Sequence, residues 1–178
     1  RAGGVLAVGC DVGVCVWYME PLAGGSKQSR MPYTGWMEVW RWASHRNIVS
    51  LSWAPDGLLL ASAAQSSDTP VIWEVESSAC HALESFTPPC GLLPAGGLAK
   101  ILWSPTGRLV FCASRMNLFA IYNADTWEWQ AHRAAGVIAD AAFSPNGRFL
   151  IVAVSNDADT TLWSFRFNTE ATETAPRA

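Results

Sequence analysis

Three short phrases recur along the chain: Trp53-Ala-Pro-Asp-Gly57, Trp103-Ser-Pro-Thr-Gly107 and Phe143-Ser-Pro-Asn-Gly147. Each follows an alternating apolar run and precedes another. Their prolines lie 50 and 40 residues apart, so the chain is an array with a period near about 40 to 45 residues, room for roughly four short strands per copy. Repetition constrains the fold more tightly than composition does, because copies that cannot bury their apolar faces alone must stack on one another.

Within each copy, proline fixes φ and the polar residue and glycine that follow make a tight turn between two strands. A second aromatic then falls 18, 17 and 18 residues after the proline, at Trp73, Tyr122 and Trp163. This pattern predicts an all-β β-propeller fragment of about three and a half four-stranded blades, with units at approximately 5–42, 48–86, 98–132 and 138–167. The stretch 18–35, rich in Gly, Ser and Pro, is expected to be an inserted loop, and 168–178 a polar flexible tail. Propellers close with about four to eight blades, so remaining blades are expected from sequence outside this chain. An isolated open array should expose apolar faces and be unstable or sticky.

Half of the 178 residues are apolar, which is ample for a core. A net charge of −3 with scattered Lys and Arg argues against nucleic acid as a partner. Uninterrupted apolar runs such as Leu58 to Ala61 and Phe149 to Val154 fall far short of the ~20 residues of a spanning helix, so no direct membrane span is expected. Residue 1 is Arg and no leader pattern precedes Val5, which reads as a cut start. Five cysteines leave one unpaired under any intramolecular scheme, and none has zinc-site spacing, consistent with a reducing compartment. Cys15 and Cys112 fall in strand patterns, where a buried thiol acts as a small hydrophobe.

Two polar sets attract a chemical reading. His45, Ser62 and Asp68 precede Trp73, and an incomplete counterpart is formed by His132, Ser155, Asp157 and Trp163. Ser, His and Asp together can make a nucleophile, a base and its orienting carboxylate. Their recurrence once per repeat favours a bracing role instead, because mutually satisfied polar groups avoid a desolvation cost of about 1 to 3 kcal/mol per orphan. The middle copy has Met116 where the acid would fall. Gly4 and Gly9 have the first spacing of a phosphate loop, but Cys10 stands where its lysine belongs. Cys80 and His81 are adjacent and would point to opposite faces of a strand. No catalytic, cofactor or metal set emerges.

Trp40 and Trp42 share one face of an expected outer strand, as do Trp127 and Trp129. Such rings either pack on a neighbouring blade or serve as partner-binding anchors.

The Ser-Pro-Asp-Gly-like corners, the Asp before the third strand and its terminal Trp resemble the WD40-repeat family over nearly the whole chain. More narrowly, Leu6-Ala-Val-Gly-Cys10 with Val16-Trp17, Ser50 to Gly57 and Ile101 to Gly107 are similar to WD-repeat nucleoporins. That resemblance implies a non-enzymatic scaffold at the nuclear pore complex, anchored at the nuclear envelope by a transmembrane nucleoporin and supporting nucleocytoplasmic transport, with other nucleoporins as partners. The alternative is a peptide-recognition or adaptor module in another multiprotein complex, cytoplasmic or nuclear. A propeller enzyme is the remaining reading, and it would need clustered carboxylates or metal ligands. The 18–35 insertion, Met116 and Tyr122 depart from the family pattern, so partner residues do not transfer.

Overall fold

A computed structural model describes residues 5–21, 33–42, 46–75, 85–86, 96–156 and 158–167. His45 and Asp157, the expected loop 18–35 over residues 22–32 and the tail 168–178 lie outside the described residues. The described residues form fourteen strands and no helix. The first sheet holds β1 (Val5–Cys10), β2 (Gly13–Pro21) and β3 (Tyr33–Trp42). The second holds β4 (Ile48–Trp53), β5 (Leu59–Ala64), β6 (Val71–Glu74) and β7 (Ser85–Phe86). The third holds β8 (Leu98–Trp103), β9 (Leu109–Ser114), β10 (Leu118–Asn123) and β11 (Trp129–Arg133). The fourth holds β12 (Val137–Phe143), β13 (Phe149–Ser155) and β14 (Thr160–Arg166). Each sheet is an antiparallel meander in chain order.

The recurring corners are built alike. In the first, Ala54 N–H bonds to Leu59 O at 2.8 Å and Gly57 N–H to Ala54 O at 2.9 Å. The corners at Ser104 and Ser144 repeat both bonds within 0.1 Å. Gly57, Gly107 and Gly147 have φ of 71°, 76° and 66°, a left-handed conformation that a Cβ disfavours. The polar residue before the glycine finishes the turn: Asp56 Oδ1 accepts from Leu58 N–H at 2.8 Å, and Asn146 Oδ1 from Arg148 N–H at 3.0 Å.

Neighbouring sheets are joined by an equally regular device. The start of the first strand of the second, third and fourth sheets is tied to a turn of the sheet before: Asn47 N–H to Asp11 O in the β1–β2 turn, Leu98 N–H to Ser67 O in the β5–β6 turn, Ile138 N–H to Met116 O in the β9–β10 turn. At Gly97 the approach is so close that a Cβ would sit 1.8 Å from Gln65 O. Two serines of β4 add stitches: Ser50 Oγ accepts from Ile101 N–H at 3.1 Å and Ser52 Oγ from Trp103 N–H at 2.9 Å.

Period-two alternation then decides what each sheet buries. On β9 and β10, Val110, Cys112, Ala120 and Tyr122 pack toward Ala61, Ala63 and Ile72 of the second sheet. The alternate residues Leu109, Phe111, Phe119 and Ile121 pack toward Leu150, Val152 and Phe165 of the fourth. A third cluster joins Val14 and Val16 of β2 to Leu60 and Trp73 of the second sheet. Cys15 and Cys112 are buried in the strands.

Candidate functional site

Of the first polar set, Ser62 and Trp73 come together. They are 0% and 2% exposed, and the Trp73 indole N–H donates to Ser62 Oγ at 2.8 Å while Ser62 Oγ–H reaches Val71 O at 3.3 Å. Ser62 and Val71 are cross-strand partners, as are Leu60 and Trp73, so the indole reaches diagonally over one pair. Asp68 is placed differently: it is exposed, and its Oδ1 accepts from the backbone N–H groups of Gly96 and Gly97, each at 3.2 Å. Its work is to hold the entry of β8 against the second sheet.

The second set does not reproduce this geometry. Trp163 pairs with Val152, and Val154 with Thr161, so the position equivalent to Ser62 is Val154 and Ser155 stands one residue beyond it. Ser155 Oγ instead accepts from Thr160 Oγ1 at 3.5 Å. The same registers put Val8 and Cys112 at the equivalent places in the first and third sheets.

His132 sits on β11 in an aromatic nest, stacked on Phe119 at 5.1 Å and edge-on to Phe165 at 5.1 Å. Trp163 touches the same Phe119 edge-on at 6.5 Å. His132 Nε2 is buried with no hydrogen-bond partner among the described residues, and burial lowers the imidazole pKa from its ordinary value because the charged form is poorly solvated there. Such a histidine packs as a neutral ring. No carboxylate orients it among the described contacts, and no group of three His, Cys, Asp or Glu side chains among the described residues is placed to hold a metal ion.

The expected outer-strand aromatics divide. Trp127 lies in the turn before β11, not in the strand, with a left-handed φ of 58°. The turn forces it there: Trp127 N–H bonds to Asn123 O, and Asn123 Oδ1 accepts from Asp125 and Thr126 N–H groups at 2.8 and 3.2 Å. Trp127 and Trp129 are half-buried against the core between the second and third sheets, Trp127 meeting Trp103 edge-on at 6.1 Å. Trp40 and Trp42 pair with Val16 and Val14 along β3.

Sequence reading passed over the Lys100–Asp140 ion pair, which links β8 to β12. The Lys100 hydrogen bond, then the Ala141 N–H, hold the Asp140 carboxyl below its ordinary pKa. Both groups are open to solvent, so the pair is worth no more than about 1 kcal/mol. Ser50 and Ser52 were legible only as alternate residues of β4; their use as inter-sheet acceptors depends on how closely β8 approaches.

The all-β sheets and their repeated corners define a WD40-type β-propeller architecture, and the WD domain, G-beta repeat model matches residues 36–74 and 124–164. The chain is a WD40-repeat protein, and it resembles aladin: it is 32% identical over 186 residues to Aladin of Arabidopsis thaliana, a match covering 96% of this chain. The chain spans 39% of that relative's length. Among solved structures, Chaetomium thermophilum Sqt1 bound to the N-terminus of ribosomal protein L10 superposes with a TM-score of 0.63 at 20% identity, over 90% of this chain and 42% of that one. A chain of the mitotic checkpoint complex gives 0.61 at 18% identity, over 92% and 45%. These structural likenesses establish the fold alone. Fold and relative together support a WD-repeat scaffold or adaptor of a non-enzymatic family. No helix among the described residues is long and apolar enough to cross a membrane.

Proposed function

We propose that the protein is an aladin-like nucleoporin: a non-catalytic scaffold held at the nuclear envelope within the nuclear pore complex, where it supports nucleocytoplasmic transport. The observation that carries this reading is the identity to aladin along 96% of the chain. Its partners are then other nucleoporins, including a transmembrane one that supplies the membrane anchor. A sheet array with rigid corners and many loops suits this role, since it presents several surfaces without needing an active site.

The apolar faces at the two ends of the array fit a longer propeller. Leu6 and Val8 on the first sheet, and Val137, Phe149, Ile151 and Leu162 on the fourth, are between 38% and 70% exposed. In the proposed whole protein, further blades cover them. A second reading, a peptide-recognition or adaptor module in a different complex, is favoured by the likeness to Sqt1, which was solved with a peptide terminus bound. A fluorescent fusion of the full-length protein, combined with affinity purification, separates the two. A nuclear rim signal with co-purifying nucleoporins is expected; a diffuse signal with an unrelated complex would overturn the pore assignment.

A further inference from the structure

We draw no further inference here: the strongest candidate, the bare apolar face of the fourth sheet formed by Phe149, Ile151 and Leu162, is the face that further blades cover in the proposed whole protein, and nothing in the structure shows another occupant for it.

Discussion

The third and fourth sheets are written in nearly the same alphabet and live in different surroundings. β9 (LVFCAS) is buried at every position, whereas β13 (FLIVAVS) alternates between exposed and covered residues. The cause is not the strand but its neighbours: β9 has the second sheet on one face and the fourth on the other, and β13 has a sheet on one face only among the described residues. Phe149 and Ile151 on the bare face are each 38% exposed, and Leu162 beside them is 70% exposed. A surface written for water would alternate with polar residues there. The fourth sheet therefore carries the sequence of an interior sheet on a face that this structure leaves open, and a patch of this kind marks an interaction surface.

The comparison is broken most directly by truncating one residue on each sheet. Phe111→Ala, at 0% exposure between the third and fourth sheets, should cost about 3 to 5 kcal/mol. Ile151→Ala on the bare face should cost below about 1 kcal/mol in the 178-residue chain. Urea unfolding of both variants gives the two numbers. Equal losses would mean that the face of the fourth sheet is covered and the contrast is false. In a longer protein with another sheet on that face, the Ile151→Ala loss should climb toward about 2 to 4 kcal/mol while that of Phe111→Ala stays put.

Much of the fold could be read before any coordinates because the repeat states it three times. The corner at Pro55, Pro105 and Pro145 needs proline for φ and glycine for a positive φ, and both requirements are local. The aromatic at Trp73, Tyr122 or Trp163 likewise follows from alternation. The polar groups were less legible because their partners are set across sheets. Ser62 and Ser155 look alike in sequence, and only the strand register shows that Ser155 is one residue out of step with the serine that meets Trp73. Asp68 looked like a bracing acid for the indole, but the close approach of Gly97 to Gln65 brings backbone N–H groups to it first. Trp127 looked like a strand residue, since a left-handed aromatic is the conformation that propensity argues against.

The register difference between sheets is sharpened by removing the two serine hydroxyls. Ser62→Ala strands the buried Trp73 indole N–H and should lower stability by about 1 to 3 kcal/mol. Ser155→Ala, losing only a long contact to Thr160 near the surface, should stay within about 0.5 kcal/mol. Comparable losses would mean that both serines brace their sheets and that the register argument fails. A Ser62→Thr variant keeps an acceptor oxygen and should recover part of the loss, which separates the hydrogen bond from packing.

The smallest effect concerns the seam where the two contrasted sheets meet. His132 is held neutral between Phe119 and Phe165, with its pKa lowered by burial. Between the ordinary histidine value near 6.5 and the lowered folded value, the unfolded chain binds the proton that the folded chain refuses. Stability is therefore fully present above about pH 6.5 and declines as the pH falls through the folded value. His132 is partly rather than fully buried, so the decline should be a few degrees of melting temperature. His132→Phe keeps the ring stack and removes both the titration and the unpartnered Nε2, so it should be no less stable at pH 7.5 and should lose the part of the acid slope that wild type shows between pH 7 and 5. Asp140, whose carboxyl is held low by Lys100, contributes only below that window, as the pH drops under the ordinary carboxylate range. An unchanged slope in His132→Phe would mean that the seam between the third and fourth sheets admits the charged ring, and that the fourth sheet is as loosely held on its covered face as on its bare one.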